Sequence, residues 1–176
     1  MTKRDRTINR LGALALALDD AQLTAAQGSS GLGESACATL LTLGAHPGLT
    51  IGALARIAGL THSVMVRTVA SLERSKLVVR QRGVDRRNVA LRLTASGGRA
   101  RQVIANARAA VLDGALKALS REQLLQLEDI MTPMLVGLTT GRAQSDYLCR
   151  LCDEPACGAD CPVELMARRI ESRSRD

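Results

Sequence analysis

The chain has no phenylalanine and no tryptophan, and Tyr147 is its only aromatic residue. A core must therefore be filled by Leu, Ala, Val, Ile and Met, which suit helices better than strands. The same scarcity argues against an RNA-binding module, because such modules stack bases on aromatic side chains. Histidine is scarce as well, with only His46 and His62, and no His-Glu pair or Ser/His/Asp set points to catalysis. No run approaches the ~20 apolar residues of a membrane span. Lys3, Arg4 and Arg6 before the apolar run Leu11–Leu18 superficially imitate a signal peptide. Asp19 and Asp20, however, follow where small residues should lead to a cleavage site. The expectation is a cytosolic protein with no membrane partner and no enzymatic activity.

What is present is a chain of 176 residues, 46% apolar, with a net charge of +7. That length fits one compact domain, or one domain with a small appendage. The charge is concentrated between Thr61 and Arg101. Arg67, Arg74, Lys76, Arg80, Arg82, Arg86, Arg87, Arg92, Arg99 and Arg101 are opposed there only by Glu73 and Asp85. Basic charge gathered on one segment is the footprint of a polyphosphate partner, although a solvated face would carry it too.

Periodicity places a first helix over about Asp5 to Gln27, with Ile8, Leu11, Ala15 and Leu18 at helical spacing and the cluster Gly28-Ser29-Ser30-Gly31 as its end. A second helix runs from about Glu34 to Gly44, and His46-Pro47-Gly48 breaks the chain. Thr50 caps a short third helix, Gly59-Leu60-Thr61 turns the chain, and a fourth helix continues to about Arg74. Short helix, glycine turn and longer helix form a helix-turn-helix pattern. Leu77–Arg80 and Val89–Leu93 alternate with period two around a polar tip, which predicts a two-stranded hairpin. Thr94 opens a long helix to about Leu119. Ser120 and Gln123 form a capping box for a sixth helix, which Pro133 should kink or interrupt.

Ala53–Leu60 with Ser63–Leu72, Glu73, Leu77 and Val78 resembles the helix-turn-helix of the MarR family. Asp85-x-Arg87-x-x-x-Leu91-x-Leu93-Thr94-x-x-Gly97 resembles that family's wing and the turn that opens its next helix. The likeness spans about residues 5–140. It implies a mainly α fold: a winged helix-turn-helix with a two-stranded β wing and a helical dimerisation region. The DNA-binding part would cover about 34–98 and the dimerisation helices about 5–27 and 94–140, within a domain of 1–145. The partners implied are a double-stranded, palindromic DNA operator and a second copy of the chain. A small-molecule effector between the dimer and DNA-binding regions is a further possibility, in a pocket that would have to be aliphatic. On the fourth helix Met65, Val69 and Leu72 should face the core. His62, Ser63, Val66, Arg67 and Arg74 would then face DNA, where short polar groups and an arginine reach base edges. Arg82, Arg86 and Arg87 stand at the wing tip, suited to a minor groove. Lys76 occupies a position where the family usually has glycine at a helix C-terminus, so strain is expected there. Val66 stands where Thr or Ser is common.

Cys149-x2-Cys152-x4-Cys157-x3-Cys161 places four of the five cysteines within thirteen residues, in an extension over 146–176 with a C-terminal helix. A cytosolic chain seldom keeps disulfides, so a metal is the expected occupant. Zinc comes first, as four thiolates suit its tetrahedral site. An iron–sulfur cluster comes second, since Pro162 after the last cysteine echoes the ferredoxin run, although that run has x2 between its second and third cysteines. A metal-free thiol switch is third. Cys37 reads as a buried small apolar residue, and His46 as a loop residue. The functional expectation is a DNA-binding transcription regulator, a repressor tuned by an effector or by the cysteine site. The alternative is a metal- or redox-dependent protein centred on the cysteines.

Overall fold

The computed structural model describes residues 2–82, 89–152 and 154–174, with the side chains of Arg82, Glu154 and Pro155 also outside the described set. Among the described residues the order is α1 (Lys3–Ser30), α2 (Glu34–Ala45), α3 (Ile51–Ala58), α4 (His62–Arg74), β1 (Val78–Arg82), β2 (Val89–Leu93), α5 (Ala95–Leu116), α6 (Arg121–Leu138), α7 (Arg142–Cys149), α8 (Glu154–Cys157), a 3-10 turn and α9 (Pro162–Arg173). The fold is mainly helical with one two-stranded antiparallel sheet, as the sequence predicts. None of these helices is long and apolar enough to cross a membrane.

Local chemistry fixes most boundaries. Thr2 and Asp5 cap α1 reciprocally, and Thr50, Thr61, Thr94 and Ser120 each accept a backbone N–H at the start of a helix. Helix α1 outruns its expected end at Gln27. The hydroxyls of Ser29 and Ser30 bond back to the Ala26 carbonyl at 3.1 and 2.7 Å, so these serines join the helix instead of breaking it. Gly31, at φ 68°, is the actual stop. Helix α5 ends earlier than expected, at Leu116. Helix α6 runs through Pro133 without interruption and buries none of its residues. Water can therefore reach the Asp129 carbonyl that the proline ring leaves without a donor.

The core is aliphatic. Leu40 and Leu43 of α2, Leu54 of α3, Met65, Val69 and Leu72 of α4, Val78 and Leu91 of the hairpin and Ile104 of α5 are all buried. Val78 pairs with Leu93 and Arg80 with Leu91. The loop after α2 adds a rung to the sheet: Gly48 N–H donates to the Leu91 carbonyl at 3.0 Å, and Leu91 N–H to Leu49 at 2.9 Å. Helix α1 lies along α5. The two leave Ile8, Leu11, Leu14, Leu16, Val103 and Leu112 exposed, and α6 adds Leu125, Ile130 and Leu138. Helices α7 and α9 pack on each other, α9 against α6, and α7 against α3.

Candidate nucleic-acid interface

The exposed face of α4 is set by what the helix buries. Met65 and Val69 are fully buried and Leu72 nearly so, which turns His62, Ser63, Val66, Arg67 and Arg74 outward. Val66 is 38% exposed. At the N-terminal end, Thr61 accepts from Val64 N–H at 3.3 Å and lies 3.2 Å from the Ser63 hydroxyl. Arg67 borders an open groove between the start of α2 and α4, beside Gly33, Glu34, Ser35 and Ser71. Gly33 gives α2 no side-chain cap, so the groove meets the positive end of a helix. This helix start beside Arg67, with the acidic Glu34 in its first turn, was not read from the sequence, because a glycine before a helix carries no charge signal.

The other end of α4 ties that helix to the hairpin. Lys76 has φ 57°, the only positive value outside glycine among the described residues, at the position where the sequence predicts strain. Lys76 N–H donates to Glu73 and Leu77 N–H to Leu72, both at 2.9 Å, the paired bonds of a Schellman stop. The Thr94 hydroxyl then donates to the Lys76 carbonyl at 2.7 Å, and Thr94 N–H to the Leu77 carbonyl at 3.0 Å. Gly97 sits so close to the Leu77 carbonyl that a Cβ there would strike backbone. The Leu-Thr-x-x-Gly turn thus braces α5 against the start of β1. Arg80 is held by both carboxylate oxygens of Glu73 at 3.0 Å, a strut between β1 and α4. Arg82 begins its hairpin arm at the backbone level, while its side chain and the wing-tip residues Arg86 and Arg87 lie outside the described residues.

The cysteine extension folds against the same helix-turn-helix. Cys149, Cys152, Cys157 and Cys161 line one cavity of about 290 Å³ together with His46, the capping residue of α2. The thiols are arranged around this space: among the described residues, no three His, Cys, Asp or Glu side chains already stand as an ion-holding group. Burial, and then the thiols of Cys152 and Cys161, push the Cys149 thiol up to about 12. Cys149 would have to lose that proton before it could ligate a metal. Arg142 clamps α7 to α9 through Glu164 at 2.6 Å and Glu171 at 3.1 Å. The Arg142 guanidinium holds the Glu164 carboxyl below its ordinary range, and the two carboxylates keep Arg142 charged. Two contacts join this unit to the winged helix. The Thr42 hydroxyl donates to the Arg150 carbonyl at 3.2 Å, and the Tyr147 ring covers Gly59, the left-handed stop of α3 at φ 69°. Arg150 stacks on that ring, 3.8 Å from its centroid. Cys37 is buried as expected, within 3.5 Å of the Ser30 hydroxyl.

A smaller cavity of about 120 Å³ opens where α1, α2 and α5 meet. Its wall is not purely aliphatic: Asp19, Glu34, Arg108 and Arg150 join Leu23 and Leu41. Burial lowers the Arg108 pKa from its ordinary value, and Asp19 opposes that shift.

A model described as the MarR family matches residues 30–87 of the chain, from the end of α1 into the wing. The fold is that of the MarR winged helix. YusO from Bacillus subtilis is similar at 22% identity and a TM-score of 0.63, over 76% of this chain and 97% of that one. A MarR family protein from Bacillus stearothermophilus is similar at 24% identity and a TM-score of 0.66, over 76% and 95%. A substituted MepR from Staphylococcus aureus, solved bound to an oligodeoxyribonucleotide, is similar at 22% identity and a TM-score of 0.57, over 75% and 97%. Among curated proteins none matches the sequence. Within the MarR winged helix, α3 and α4 are the helix-turn-helix pair and the hairpin is the wing.

Proposed function

We propose that the chain is a MarR-type transcription regulator that binds a palindromic DNA operator as a dimer and represses from it. The observation that carries this reading is the outward face of α4. His62, Ser63, Val66 and Arg67 stand exposed on the N-terminal half of a helix whose opposite face is anchored in the core. A helix so presented enters a major groove, where Arg67 reaches a guanine edge or phosphate and Val66 a thymine methyl. The uncapped start of α2 faces a phosphate, and Arg82, Arg86 and Arg87 follow the minor groove. The exposed apolar side chains of α1, α5 and α6 supply the dimer surface, since so much uncovered apolar area on one face marks an interaction site. The cavity at the junction of α1, α2 and α5 takes a small effector with both charged and aliphatic parts.

The test begins with operator selection from random duplexes, followed by affinity and salt titrations. Arg67→Ala weakens the selected site more than random DNA, by about 1–3 kcal/mol if Arg67 reads a base. Arg86 and Arg87 changed together to Ala lower affinity and flatten the salt slope. Unchanged affinity and slope in both variants would remove the DNA face from these residues.

A further inference from the structure

The four thiols around the cavity and the ring on Gly59 belong to one short piece of chain. Tyr147 and Cys149 share the last turn of α7. Arg150 N–H donates to the Tyr147 carbonyl at 3.4 Å, and Cys152 N–H to the Cys149 carbonyl at 2.9 Å. Any movement of the Cys149 and Cys152 sulfurs therefore moves Tyr147 and Arg150. Tyr147 in turn rests on Gly59, and Thr61, two residues on, is the cap that starts α4.

Four thiolates around one centre leave no open ligand position, so such a site is structural rather than catalytic. All four thiols line the cavity, with Cys149 in hydrogen-bond contact with Cys152 and Cys161, yet among the described residues no three stand as an ion-holding group. A bound centre would draw them inward, and the moving parts would be the end of α7 and the four-residue α8. Beyond α7, this unit is held mainly by the Arg142 clamp and by Val163 and Ala167, buried on α9. Its own apolar burial is small, so ligand bonds would supply much of its order.

We propose that Cys149, Cys152, Cys157 and Cys161 form a thiolate-held metal centre, zinc or an iron–sulfur cluster, whose occupancy is transmitted to α4 through Tyr147 and Gly59. The transmission rests on the DNA-binding reading of α4, whereas the metal centre stands without it. When occupied, the centre fixes the end of α7 and presses the ring against the helix-turn-helix turn. When empty, the ring is held on Gly59 only by the packing of α7 on α3 and the Thr42 bond to Arg150, and the start of α4 gains freedom.

The full-length protein is purified without oxygen and assayed for zinc, iron and acid-labile sulfide. The expected result is one centre per chain, either zinc alone or iron with matching sulfide. It is lost in Cys152→Ser and in Cys157→Ser and retained in Cys37→Ser, while the helical circular dichroism of all three matches the parent. Protease sites after residue 140 open in the two metal-free variants. Operator affinity of wild type should change by at least about fivefold on metal removal, the lower end of ordinary allosteric coupling. Tyr147→Ala should keep its metal while that change shrinks to less than about twofold. Wild type that takes up neither zinc nor iron and sulfide, or a Cys149–Cys152 disulfide in its place, overturns the centre. A Tyr147→Ala protein that responds to metal as wild type does overturns the route. A protein that binds metal but no DNA refutes the DNA reading and leaves the centre standing.

Discussion

Two adjacent glycines at the start of α5 should respond in opposite directions to the same substitution. Replacing a helical glycine by alanine ordinarily stabilises by about 1 kcal/mol, because the glycine chain loses more freedom on folding. Gly98 has nothing within 4 Å of the position a Cβ would take, so Gly98→Ala should gain about that amount. At Gly97 the new methyl meets the Leu77 carbonyl, and neither backbone can yield without parting α5 from β1. That separation breaks the Thr94 N–H bond to Leu77 and the Thr94 hydroxyl bond to Lys76. At roughly 1 kcal/mol each, their loss outweighs the helix gain. Gly97→Ala should destabilise by about 1–2 kcal/mol, which sets the two variants about 2–3 kcal/mol apart. Urea unfolding at fixed protein concentration measures the difference, and thermal midpoints should separate by roughly 5–10 °C. Because the wing hangs from this junction, Gly97→Ala should also lose operator affinity while Gly98→Ala keeps it. Shifts of the same sign, or within about 0.5 kcal/mol of each other, would refute the close approach as the reason for the glycine.

Lys76→Gly should stabilise the protein by about 0.5–1 kcal/mol in the same urea assay. The left-handed backbone costs a lysine about 1–2 kcal/mol, and the added freedom of glycine in the unfolded chain takes part of that back. The Arg142 clamp has a pH signature. The Glu164 carboxyl is held below its ordinary range by Arg142. Its contribution is therefore complete above the unfolded value of about 4.3 and is lost as pH falls through the lower folded value. Protection factors in α7 and α9, taken against the intrinsic exchange rate at each pH, should stay high from pH 5 to 8 and fall below about pH 4. In Glu164→Gln that acid step should vanish. An acid step unchanged in Glu164→Gln would assign it to another group.

The sequence made some of this molecule legible and hid the rest for physical reasons. Elements whose signals are local could be read. The α4 stripe of Met65, Val69 and Leu72 is buried, the caps at Thr50, Thr94 and Ser120 are made, and Lys76 takes the left-handed conformation in place of a glycine. Ser29 and Ser30 misled because a serine can break a helix or fold back into it, and only the partner carbonyl decides. The rung between Gly48-Leu49 and Leu91 joins segments some forty residues apart, where no periodicity exists to read. Cysteine spacing indicated that four thiols would share a region, but the lining of their cavity by His46 depends on where the end of α2 lies relative to the extension. Gly59 was legible as a helix stop, a role that already accounts for a glycine. Its second role, as the flat place on which Tyr147 lies, was therefore masked.

That second role changes where a signal from the cysteines would enter the helix-turn-helix. From chain order alone, the extension follows α6 and would act by tightening or loosening the dimer helices. The structure adds a shorter path. Helix α9 does touch α6, but among the described residues α6 does not pack closely on α2, α3 or α4 of its own chain, so that contact reaches the helix-turn-helix only through the proposed dimer surface. Tyr147, Arg150 and Thr42 instead join the extension to α2 and to the stop of α3, next to the fully buried Leu40 and Leu54. Packed interiors transmit displacement because they cannot absorb it. A shift delivered at Gly59 meets the cap of α4 within two residues, before it can spread into the dimer helices. The only aromatic residue of the chain is thus spent on the contact between the thiol unit and the helix-turn-helix. A large, stiff ring with few rotamers suits that position better than any of the aliphatic side chains that fill the rest of the core.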